Sequence, residues 1–110
     1  MKSYLLDEIS ASDIKSIRGY LEEKAIKSGM EEIFWVRIPD DLLSVEQQEH
    51  KNCQPHAFAV ELGRDWVRLE FLIRSLTRMQ CNCSGYCTKS QRNFVISFAD
   101  SMIDTLNISV

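Results

Sequence analysis

Glycine is scarce in this chain, with 4 residues in 110, and proline scarcer still at 2. So little glycine leaves no material for a phosphate-cradling loop, and neither a G-x-S-x-G elbow nor an H-E-x-x-H pair occurs. Long apolar stretches are missing too. Ile33 to Val36 is typical of the longest, far short of a membrane span. At the amino terminus, Asp7 and Glu8 interrupt MKSYLL before a signal-peptide core can form. These absences lead to the expectation of a cytoplasmic protein with no membrane partner, whose four cysteines are thiols or metal ligands rather than disulfides. No catalytic residue set stands out, so no enzyme activity is assigned. The adjacent pairs Glu22-Glu23, Glu31-Glu32 and Asp40-Asp41 diverge on a helix or strand and read as solvated faces.

What is present suits an ordinary globular chain. At 45% hydrophobic and 26% charged, disorder is not the default, and the length fits a single domain over residues 1–110. The net charge of −3 is spread unevenly: residues 1–63 carry 7 Lys/Arg against 12 Asp/Glu, whereas residues 64–92 carry 6 against 2. An acidic chain with one basic segment disfavours non-specific nucleic-acid binding.

The strongest pattern is Ala57 to Arg74. Phe58, Val60 and Leu62 alternate with small or charged neighbours, as do Val67, Leu69, Phe71 and Ile73, which predicts a β-hairpin with one apolar face. A two-residue turn at Gly63-Arg64 would pair Val60 with Val67, and a four-residue turn Gly63 to Trp66 would pair Val60 with Leu69. Phe71 is expected in the core with Val60 or Phe58 and with Phe98 and Met102.

Before the hairpin, residues 1–9 fit either a short strand or a helical lead-in. Ser10 to Asp13 then forms a capping-box pattern, and Ile14, Ile17, Leu21 and Ala25 mark a helix ended by Gly29. Glu31 to Ile38 is a predicted strand facing Phe34, Val36 and Ile38 inward. The long connection 39–56 carries a second capping pattern at Ser44 and Gln47, which predicts a short helix near Val45 to His50. Arg78 to Ser84 alternates as a further strand, with Met79, Cys81 and Cys83 on the core side. Thr88 to Gln91 caps a last helix with an apolar stripe through Phe94, Val95, Phe98 and Met102. The predicted fold is therefore α+β: a four-stranded, mainly antiparallel sheet, two long helices on one face and a short helix in the 39–56 connection.

Two kinds of site suggest themselves. Cys53, Cys81, Cys83 and Cys87, with His50 and His56 nearby, are soft ligands enough for one tetrahedral zinc. The single residue between Cys81 and Cys83, on an expected strand, departs from the two-residue spacing of zinc knuckles. The first expectation is accordingly no cofactor, with zinc or a thiol-redox pair as the alternative. In the redox version Cys87, just before the Thr88 cap, is the reactive thiol and Cys83 its resolving partner. Cys81 and Cys83 should then resist alkylation, and Cys53 or Cys87 should label.

The second site is a surface. Ile33, Trp35 and Leu72, with Arg68 and Arg74 at the rim, fall on the sheet face opposite Phe34, Val60 and Phe71. Either this face binds a protein partner or a second copy of the chain, or residues 39–56 cover it through Leu42, Leu43 and Val45. In element order the chain resembles the double-stranded-RNA-binding domain, without that domain's basic loop and helix-start lysines. It also looks like a reduced longin or roadblock module, or the acidic chaperones of type III secretion. The latter likenesses imply a partner-binding α+β domain, a small interaction module with no catalysis.

Overall fold

The computed structural model describes residues 2–78 and 80–109. Among them are β1 (Ser3–Leu6), α1 (Ala11–Lys24), β2 (Ile26–Lys27), β3 (Ile33–Arg37), α2 (Val45–Glu49), β4 (His56–Leu62), β5 (Val67–Glu70), β6 (Leu72–Ser75), β7 (Gly85–Tyr86) and α3 (Lys89–Thr105). Seven antiparallel strands replace the expected four. The order is β1-β5-β4-β3-β2, with β6 also pairing β4 and β7 pairing β6.

Three local effects account for the extra strands. At the first helix, Ser10 Oγ accepts from the Asp13 N–H, but the helix stops at Lys24 instead of running to Gly29. Ile26 and Lys27 pair instead with Trp35 and Phe34, a ladder that gives β-branched Ile26 a cross-strand partner. Residues 3–6 form a strand against β5. The return arm of the hairpin breaks at Phe71, whose N–H donates to the Lys2 carbonyl and whose carbonyl accepts from Cys87 N–H. The arm thus becomes β5 and β6.

Among the described residues the predicted strand Arg78 to Ser84 does not form. Its described residues 80–83 form turns, and the placement of Met79 lies outside the described residues. Only Gly85–Tyr86 joins the sheet there, against β6.

The hairpin turn spans Gly63 to Trp66: Leu62 pairs with Val67 and Val60 with Leu69, and Gly63 N–H donates to Trp66 O. Glycine leaves room for the Trp66 indole, into which a Cβ at 63 would run unless the ring moved.

Both long helices pack on one face. Ile17 and Leu21 of α1 and Val95, Ala99, Met102 and Ile103 of α3 share a core with Phe34, Val36, Phe58, Val60, Leu69 and Ile73. Phe58 sits edge-on to Phe94 and Phe98. Phe71 is buried as expected, but its aromatic neighbour is Tyr4 of β1, and the Arg92 guanidinium lies over its ring. Phe98 meets Phe58 and Tyr20 instead.

The 39–56 connection packs on the helix side and not over the opposite sheet face. Leu43 enters the core, Val45 is exposed, and buried Gln47 reaches α3.

Candidate metal centre

Antiparallel pairing makes the entry and exit of a hairpin neighbours. His56, the first residue of β4, pairs with Ser75, the last of β6. The segment leading into His56 must therefore lie near the segment leaving Ser75. Buried Ser75 fixes the junction: its hydroxyl donates to the Cys53 carbonyl and accepts from the Thr77 and Arg78 N–H groups. Thr77 Oγ1 donates to Asn52 O at 3.2 Å.

The junction gathers His50, Cys53, Cys81 and Cys83, whose donor atoms all lie within 4.8 Å of one another. His50 caps the end of α2, and Cys53 closes the 3-10 turn Lys51–Cys53. Cys81 and Cys83 sit on the tight turn after β6, with Cys81 N–H donating to Arg78 O and Ser84 N–H to Cys81 O. His50 Nδ1 is 3.0 Å from Cys81 Sγ and 3.9 Å from Cys53 Sγ. A tetrahedral zinc with ordinary bond lengths needs sulfur–sulfur edges of about 3.8 Å and sulfur–nitrogen edges of about 3.6 Å. The two nitrogen–sulfur distances bracket that value.

Further side chains contact these donor residues. Gln47 Nε2 donates to the Cys83 carbonyl at 3.2 Å, which ties the cysteine turn to α2. His56 Nε2 lies 3.3 Å from Cys83 Sγ. On the solvent side an open cavity of about 790 Å³ is lined by His50, Cys53, Cys81, Lys51 and Arg78.

The environment divides the thiols. Cys81 is held down to about 6, first by the Cys83 backbone N–H and then by hydrogen bonds from the Cys53 and Cys83 thiols. Burial pushes Cys83 up to about 12. Burial also lowers His56, with the nearby His50 acting in the same direction.

Cys87, the fourth cysteine of the expected ligand set, is not among the four gathered groups. It lines a separate cavity with Phe71, Tyr86 and Arg92, and burial raises its thiol to about 11 against the weaker opposing pull of Arg92. The activation expected from the Thr88 helix start is overcome by desolvation. His50 is the fourth gathered donor in its place; Gln47, which the sequence marks only as a helix cap, and Ser75, which it does not mark, hold the surrounding backbone. One signal could have found the set: H-x2-C just before the hairpin and C-x-C just after it.

The expected contact residues lie on the outward sheet face. Ile33 and Trp35 are half-buried on β3, and Trp35 pairs with Ile26 and Ala59. Arg68 pairs ionically with Glu61 and covers the Trp66 ring. Leu72 is half-buried opposite Tyr86, and Arg74 lies 3.7 Å from Glu70.

Comparison with protein families, curated proteins and solved structures finds no match to this chain. No helix among the described residues is long and apolar enough to cross a membrane.

Proposed function

We propose that this chain is a zinc-binding α+β module in which a structural Zn²⁺ is held by His50 Nδ1 and the thiolates of Cys53, Cys81 and Cys83. One observation carries the reading: four soft donors, from two segments separated by the whole hairpin, converge within 4.8 Å. Thiolate and imidazole donors favour zinc over hard cations, and four protein ligands close the shell, as in structural rather than catalytic sites. The ion would cross-link two loops that carry little apolar surface of their own. Metal binding displaces the thiol protons, Cys83 included. A reducing compartment such as the cytoplasm keeps the thiols available for it.

Elemental analysis of the untagged protein, purified under reducing conditions, should find about one zinc per chain. Chelation should lower the thermal midpoint. A protein that takes up no zinc on reconstitution overturns the reading.

A second reading, self-association through the outward sheet face, is favoured by the packing of residues 39–56 on the helix side. That face keeps Ile26 and Leu5 exposed and Ile33 and Trp35 half-exposed. Its rim carries both charge signs, Glu61 with Arg68 and Glu70 with Arg74, so a two-fold rotation can set arginine against glutamate of a second copy. The occupant is a second chain. Sedimentation that finds only monomer at high concentration overturns this reading.

A further inference from the structure

Next to the four gathered donors stands a fifth, His56, which is 1% exposed. Its backbone is held from two sides, because its carbonyl accepts from Ile38 N–H at 2.9 Å and the residue pairs with Ser75 of β6. The ring is aimed at one ligand: Nε2 lies 3.3 Å from Cys83 Sγ. Its Nδ1 is buried with no hydrogen-bond partner among the described residues.

We propose that His56 is a positioning residue of the metal site, donating its Nε2–H to the Cys83 sulfur from outside the coordination shell. The inference rests on the zinc reading and deepens it. Three thiolates around one Zn²⁺ leave a net negative charge, and Cys83 is the ligand with the least water to share it, being 3% exposed. In the metal-free protein the neighbouring thiols donate to one another. Once the metal has displaced their protons, that source is gone. The Gln47 side chain is committed to the Cys83 carbonyl, not to its sulfur. Among the described side-chain contacts this leaves the His56 ring as the donor to Cys83 Sγ.

The tautomer is set by the same geometry. A proton on Nε2 makes the bond to sulfur and leaves Nδ1 as an unpaired acceptor. The opposite tautomer leaves a buried N–H unpaired and sets a lone pair against a thiolate, which is the costlier arrangement. Outer-shell donors of this kind orient a ligand and withdraw charge from it, and their loss typically weakens metal affinity ten- to a hundred-fold.

Cobalt(II) is the probe, since its absorption reports ligand number and sulfur basicity together. Wild type, His56→Phe, His56→Gln and His50→Ala are each titrated with cobalt and then with zinc in competition with a chromophoric chelator. Wild type and His56→Phe should show the same tetrahedral ligand-field bands. In His56→Phe the sulfur-to-cobalt charge-transfer band should move to lower energy and zinc should bind about ten- to a hundred-fold more weakly. His56→Gln, whose amide N–H can reach the sulfur, should recover most of both. If His56→Phe does not fold, His56→Asn replaces it: its amide is too short to reach the sulfur, and the same shift and weakening are expected.

Unchanged affinity and an unmoved charge-transfer band in the donor-less variant overturn the proposal. So does loss of the tetrahedral bands on replacing His56 while His50→Ala keeps them, because His56 would then be the ligand. Wild type that binds neither cobalt nor zinc refutes the zinc reading itself, before any variant is compared.

Discussion

Cys81 and Cys83 share one turn, yet their surroundings drive their thiols in opposite directions. Cys81 borders the open cavity and is held to about 6 by N–H and S–H donors, whereas burial drives Cys83 to about 12. In the reduced, metal-free protein, Cys81 should be alkylated first at neutral pH, because it is both ionised and reachable. Cys83 should be alkylated last. The Cys81 rate should fall as pH drops through about 6, where its thiolate takes up a proton. Zinc should abolish the fast phase. This reverses the sequence-based expectation for Cys81, which treated its sulfur as a core side chain on a strand. Peptide mass spectrometry after a short alkylation pulse checks it: fast labelling of Cys83 or Cys87 ahead of Cys81 would contradict the geometry.

At the scale of elements, the two short-range capping motifs turn out to be one network. Gln47 is the third residue of α2 and accepts from the Ser44 N–H, while Gln91 is the third residue of α3 and accepts from the Thr88 N–H. The two caps are joined: Gln91 Nε2 donates to the same Gln47 Oε1 at 2.8 Å and to Leu42 O at 2.9 Å. Gln47 in turn holds the Cys83 carbonyl. A polar chain therefore runs from the start of α3 through α2 to the cysteine turn. Gln91→Leu removes both donations and the acceptor of the Thr88 N–H, leaving Leu42 O and that N–H without these partners, so it should cost about 2–3 kcal/mol in chemical denaturation. It should also weaken zinc binding, although Gln91 touches no ligand. A loss within the ~0.5 kcal/mol scatter of surface substitutions would show that the network contributes no more than a solvated cap.

For the whole molecule, the helices and the 39–56 connection occupy one side of the sheet and leave the other to solvent. Ala57 and Ala59 are buried there, at 0% and 7%, beneath the larger side chains around them, so the face is a shallow apolar strip between ion pairs. Trp35 lies in its middle row between Ile26 and Ala59. Trp35→Glu should convert a two-fold dimer into a folded monomer, seen by sedimentation with an unchanged helical circular dichroism signal. Unfolding of the variant together with a monomeric wild type would mean that Trp35 serves the fold and not an interface.

Periodicity and capping chemistry are local properties, and the sequence by itself determined what depends on them. Ser10, Ser44 and Thr88 mark real helix starts, the inward facing of Phe34, Val36, Val60, Leu69 and Ile73 agrees with their alternation, and the four-residue turn is one of two registers the pattern permits. Strand count was not legible. Ile26-Lys27 and Gly85-Tyr86 are two-residue strands that exist only because a neighbour offers a free edge, and the break at Phe71 is set by its bonds to Lys2 and Cys87. The gathering of His50, Cys53, Cys81 and Cys83 depends on the same long-range pairing. Cys81 and Cys83 read alike on a strand and a turn, and only the closing of the hairpin by His56 and Ser75 brings the H-x2-C segment to the C-x-C segment. Side chains about thirty residues apart become neighbours through strand pairing, a long-range interaction that no local window of sequence contains.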